Sequence, residues 1–124
     1  MTEEPTGTGL VSVGDHRNEV VLVGRLAALA DERELPSGDV MVSWRLVVDR
    51  PAQPRVEGRR TPTVDALDCV AWRKPICRTA LSWQVGDTVE VSGALRRRFW
   101  RAPAGPVSRT EVEVIRARRI RKAA

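Results

Sequence analysis

Guanidinium groups hold phosphates and flat rings stack bases, so the two together suit a flexible, base-carrying polyanion. The segment Leu95-Arg96-Arg97-Arg98-Phe99-Trp100 offers both. Side chains alternate along a strand, so Arg96, Arg98 and Trp100 emerge on one face, opposite Val91, Gly93 and Leu95. Stacking one base on an aromatic is worth roughly 1–3 kcal/mol, enough for a single exposed tryptophan to matter. The competing use of Trp100 is to plug the end of a barrel. Trp72, on the face of Asp68 and followed by Arg73 and Lys74, is a second candidate platform. Arg45 and the loop arginines Arg50, Arg55, Arg59 and Arg60 are the remaining candidates for holding a backbone.

Other chemistry is poorly provided for. Cys69, Cys77 and the single histidine, His16, fall short of the roughly four ligands of a closed zinc site, so no metal is expected. The cysteines read as two free thiols in a reducing compartment. There is no G-x-S-x-G elbow, no P-loop, and no histidine beside a nucleophile. Neither an enzyme nor a cofactor is expected. Trp44, in phase with Val42 and Leu46, reads as core, and Trp83 as core or a lid. Phe99 shares the parity of Arg97 and either packs inside or reaches a neighbouring subunit. With no tyrosine, stacking rests almost wholly on tryptophan.

The elements that must position these groups fit one domain of 124 residues, 42% hydrophobic and 30% charged. No run approaches the roughly 18 apolar residues of a membrane span. The acidic start, Met1-Thr2-Glu3-Glu4-Pro5, is not a secretory signal, which points to the cytoplasm. A net charge of +5 attracts polyanions in general, and its arginines crowd the segment after Leu95. The plain alternative for any such run is a solvated face.

Residues 1 to about 17, rich in glycine and short polar side chains, read as a flexible arm ahead of a domain over 18–122, with 123–124 a short end. Val20 to Leu26 reads as a mostly buried strand with a bend at Gly24. Ala27 to Glu34 is a helical turn or a loop, and Pro36-Ser37-Gly38-Asp39 a turn. A second strand follows from Val40 to Val48, then a long basic loop from Asp49 to Thr63. The third strand runs from about Val64 to Trp72. A short helix starts at Pro75 and ends by Gly86-Asp87. The fourth strand runs from Val89 to Trp100 and the fifth from Arg109 to Ile115. Five strands with one short helix between the third and fourth is the order of an all-β OB-fold, a Greek-key barrel.

From Asn18 to Ile120 the chain resembles the bacterial single-stranded DNA-binding proteins of the tetramer-forming OB-fold type. The resemblance lies in Asn18-Glu19-Val20-Val21-Leu22-Val23-Gly24-Arg25-Leu26, in Pro36-Ser37-Gly38 with Val42-Ser43-Trp44-Arg45-Leu46, and in Thr110-Glu111-Val112. The most specific part is V-x-V-x-G-x-L-x-x-R-x-W from Val89 to Trp100. It implies non-specific binding and protection of single-stranded DNA during replication, recombination and repair, in association with the nucleoid. It also implies stacking on Trp100 and Trp72, and phosphate contacts from Lys74, Arg33 and the long loop. A homotetramer built from dimers through the first strand is the implied assembly.

The departures are specific. The family's stacking tryptophan on the third strand falls at about Ala66, and the aromatic early in the long loop has no counterpart among Asp49 to Pro54. The sequence ends Arg121-Lys122-Ala123-Ala124, without the family's long tail and acidic tip, so recruitment of repair enzymes through such a tip is not expected. A divergent or secondary paralogue follows. Two rivals stay open: an RNA-binding or primosome-type OB domain, and an interaction subunit that assembles with another single-stranded DNA-binding protein.

Overall fold

Period-two burial of valine-rich segments builds the molecule, which a computed structural model describes over residues 10–52, 54 and 56–124. In chain order the elements are β1 (Ser12–Val13), β2 (His16–Arg17), β3 (Val20–Leu26), β4 (Asp31–Glu34), β5 (Val40–Asp49) and β6 (Val64–Ala71). The helix α1 (Lys74–Leu81) follows, then β7 (Thr88–Ala102) and β8 (Gly105–Arg121). The main sheet runs β3-β7-β8-β6-β5-β4, and a second pairing of β3 with β5 closes five of its strands into a ring. All neighbours are antiparallel except β6 and β8, which run parallel at Cys69–Val112 and Val70–Glu113. With α1 between the third and fourth strands of the ring, this is the OB-fold that the strand order implied.

Closure depends on β3 serving two partners. Val20 to Arg25 pair with β7, while Arg25 and Leu26 pair with Val47 and Leu46 of β5. The strand crosses from one to the other at Gly24, where any Cβ would collide with the Val47 carbonyl oxygen. Gly93 is held as tightly against the Glu113 carbonyl, so β7 and β8 approach closer there than a side chain permits.

Inside the ring Trp83 is buried to 1% exposure and meets Trp44 edge to face, with centroids 5.4 Å apart at 90°. Leu26, Val42, Leu46, Cys69, Val89, Val91, Val112 and Val114 complete the core. Trp83 is therefore core rather than a lid. Asp87, also buried, accepts the N–H groups of Gln84 at 2.9 Å and Ala123 at 2.8 Å, and lies 3.6 Å from Arg119 Nη1. Those bonds, the Gln84 amide first, hold its carboxyl below the ordinary range.

Four details differ from the sequence pattern. Of the segment read as an arm, residues 1–9 lie outside the described residues, and 12–17 form the β1–β2 hairpin. Asp31–Glu34 is a strand, neither helical turn nor loop; all four of its residues are exposed, so no apolar period marks it, and the edge of β5 creates it. The helix ends at Leu81, well before Gly86, because the Ser82 N–H and hydroxyl both donate to Thr79 O and close the last turn. β7 and β8 also run several residues further than expected.

Two outcomes follow. Gly93→Ala forces a backbone shift and is expected to cost about 1–3 kcal/mol, read as a lower urea midpoint. Asp87 adds stability above the unfolded carboxyl pKa that is withdrawn as pH falls through its lower folded value. Asp87→Asn should therefore be less stable at pH 7 and lose less stability than the parent between about pH 4 and 2, measured by thermal melts.

Candidate nucleic-acid interface

The β7–β8 pairing outruns the barrel. β3 covers β7 only as far as Gly93, and from Leu95 to the turn at Pro103-Ala104 β7 pairs with β8 alone. The result is a two-stranded ribbon roughly 23 Å long, at about 3.3 Å per residue. Residues directly opposite in an antiparallel pair share a face. Arg96, Arg98 and Trp100 face the same side as their partners Glu111, Arg109 and Val107. The sequence parity thus holds, and Trp100, 44% exposed, is no barrel plug. Leu95 keeps the parity of the core but is half-exposed, since the ribbon has already left the barrel.

Acids accompany most of the arginines on that face. Arg96 Nε donates to Glu113 Oε1 at 2.9 Å, and Arg98 Nη1 lies 3.6 Å from Glu111, whose side chain is only 8% exposed. Asp68 serves two cations, Arg45 Nε at 3.2 Å and Arg109 Nε at 3.7 Å. Arg33, Arg45 and Arg98 line one cleft of about 500 Å³ together with Arg109, Asp68 and Glu111. The loop arginines Arg50, Arg59 and Arg60 line a different hollow of about 390 Å³ with Pro51 and Thr61. There Arg50 grips Asp65 with both arms, at 2.7 and 3.0 Å. That grip pulls the Asp65 carboxyl down and the Arg50 guanidinium up in pKa. Arg55 lies outside the described residues.

Trp72, 39% exposed, and Lys74 stand apart from both hollows, at the junction of β6 and α1. Arg73 and Lys74 beside it are exposed and carry no ion pair among the described residues. Phe99 does not pack inside: at 72% it is strongly exposed, on the ribbon face opposite Trp100. The counter-ions Asp68, Glu111 and Glu113 are the functional neighbours that sequence reasoning missed. Glu111 and Glu113 alternate with the core residues Val112 and Val114, a signal that only the β7–β8 register converts into pairs.

Groups suited to other chemistry are buried or scattered. The Cys69 thiol is pushed up to about 12, mainly by burial, which keeps it protonated and unreactive. Among the described residues no group of His, Cys, Asp and Glu is arranged to hold a metal ion. Among the described residues no helix is long and apolar enough to cross a membrane.

A closed five-strand ring with one short helix between its third and fourth strands defines an OB-fold domain, and this one carries a ribbon that is basic along β7 with an aromatic near its tip. The model of the single-strand binding protein family matches residues 17–121, and the chain belongs to that family. It is 33% identical over 88 residues to a single-stranded DNA-binding protein of Oceanobacillus iheyensis, covering 71% of this chain and 53% of that one. It is 34% identical over 91 residues to single-stranded DNA-binding protein B of Bacillus subtilis, covering 71% and 75% respectively. The chain thus spans about half the length of the first of these relatives. In fold it is similar to a Plasmodium falciparum SSB solved in complex with ssDNA, with a TM-score of 0.70 at 21% identity over 89% of this chain and 98% of that one.

The ion pairs carry a prediction. Asp68→Asn releases Arg45 and Arg109 together, so affinity for oligo-dT should rise several-fold at low salt. The slope of log K against log salt should steepen by about 1.4, since each of the two freed cations can add close to 0.7 on a single strand.

Proposed function

We propose that this protein binds single-stranded DNA without sequence preference and protects it during replication, recombination or repair. The observation that carries the reading is the ribbon: an arm with no core of its own, basic along its β7 strand and bearing a half-exposed tryptophan near its tip. Membership of the single-strand binding protein family supports it. Trp100 and Trp72 stack bases. Lys74, Arg33, Arg45, Arg96, Arg98 and the loop arginines Arg50, Arg55, Arg59 and Arg60 hold the backbone. Because stacking ignores base identity and phosphates carry none, the contact is blind to sequence. No bond is made or broken, so the protein acts by equilibrium binding alone.

Assembly fits the same reading. β3 turns Val21 and Val23 outward, both substantially exposed, on a face bordered by Glu90 and Arg118. This is the strand through which the resemblance implies dimers, and a homotetramer built from two such dimers covers those valines. Binding of nucleic acid places the protein with the nucleoid in the cytoplasm.

Tryptophan fluorescence tests the function directly, because two of the four indoles are buried in the core and two are open to bases. Saturable quenching by a long oligo-dT that survives high salt is expected. Trp100→Ala should weaken binding about 5-fold or more, equally for all sequences. Equal affinity in that variant would remove Trp100 from the site, and tighter binding to the matching RNA would turn the assignment to RNA.

A further inference from the structure

The ribbon has a second face. Strand alternation and the β7–β8 register put Leu95, Arg97, Phe99 and Arg101 on one side, opposite Trp100, with Thr110, Ser108 and Pro106 across from the last three. Phe99 is more exposed than Trp100, at 72%. Arg97 and Arg101 flank it at two-residue spacing and are exposed. On the Trp100 face Arg96, Arg98 and Arg109 each meet a carboxylate, whereas neither Arg97 nor Arg101 has an ion-pair partner among the described residues. Their β8 partners Thr110 and Pro106, and Ser108 between them, carry no charge at all.

An aromatic left in water between two uncompensated cations has a natural occupant. An apolar partner protein would have to desolvate both guanidinium groups without neutralising them, which is costly. A single nucleic-acid strand satisfies both parts at once, with its phosphates on the cations and a base on the ring. Cations already paired to carboxylates gain less from a phosphate, because the carboxylate must first be displaced. The open pair is therefore the stronger electrostatic grip.

We propose that Arg97, Phe99 and Arg101 form a second single-strand contact on the reverse face of the ribbon, so that bound DNA engages both sides of the hairpin. The inference rests on the single-stranded DNA-binding reading and adds the stacking ring and the phosphate clamp that the missing aromatics leave wanting. Trp100 and Phe99, adjacent in sequence, then hold bases on opposite faces of one β-ribbon.

The experiment titrates the full chain and its variants with oligo-dT across a salt series, with light scattering for mass and thermal melts for folding. All the substitutions fall on exposed or half-exposed side chains. Phe99→Ala should bind about 5-fold or more weakly, and Phe99→Trp should recover parental affinity with extra quenchable emission. Arg97→Gln with Arg101→Gln should flatten the salt slope by about 1.4, at close to 0.7 per phosphate contact. Arg96→Gln with Arg98→Gln should flatten it by less than half as much. If the parent itself fails to bind oligo-dT, the functional reading falls. If the parent binds and Trp100→Ala weakens it, yet the Phe99 and Arg97/Arg101 variants match the parent, this proposal alone is overturned. A fall in assembly mass in Phe99→Ala, with DNA affinity per site unchanged, would also overturn it and make the face a contact between copies.

Discussion

The β7–β8 ladder is the interaction on which the rest of the molecule depends. Its barrel end supplies Val89, Val91, Val112 and Val114 to the core and places Gly93 hard against Glu113. Its outer end supplies every candidate contact on the ribbon. Because one unbroken ladder does both, the orientation of Trp100 is inherited from the register that buries Val91. A one-residue slip would move the whole arginine set to the other face and turn the core valines outward, so burial at one end enforces function at the other. A two-stranded ribbon is marginal by itself in water, and here the barrel anchors it.

Charge is the second organising constraint. A formal net charge of +5 suggests a uniformly cationic surface, but the structure shows a partitioned one. Asp65, Asp68, Glu111 and Glu113 tether Arg50, Arg45, Arg109, Arg98 and Arg96, fixing long side chains that would otherwise lose rotamer entropy on binding. Pairs this exposed add little to stability. Their effect is to pre-position guanidinium groups while lowering the local potential. A surface built this way favours a ligand that supplies many phosphates in series over isolated anions.

Much of the fold was legible because burial writes a period into sequence. Val40–Val48 and Val89–Leu95 alternate because one face of each lies in the core, and Trp44 announced itself by falling in phase with Val42 and Leu46. Val20–Leu26, read as mostly buried from its unbroken apolar run, instead turns Val21 and Val23 to the surface, because only one face of the strand meets the core. Asp31–Glu34 left no such trace, since a strand exposed on all four residues is specified by its neighbour's edge. The outer ribbon was half legible: parity placed Arg96, Arg98 and Trp100 together, but no pattern within β7 could say that Glu111 and Glu113 stand across from them. Phe99 stayed open between the interior and a neighbouring subunit for the same reason. Parity gave it the core side of the strand, and only the length of the ladder reveals that the core has ended by that point, which removes the interior alternative.

That end of the core gives the ribbon its use. Within the barrel, the two faces of a strand are committed, one to packing and one to solvent. From Phe99 outward no residue of the ribbon is buried, so both faces become available and consecutive residues can serve opposite sides. An exposed phenylalanine is ordinarily an aggregation liability, and two flanking arginines without counter-ions are a source of self-repulsion. Each offsets the other's drawback. The cations keep the ring from seeding apolar association between copies, while the ring gives a polyanion more than charge to hold when salt rises. On the proposed reading, the projecting arm is where a flexible strand is gripped from two sides.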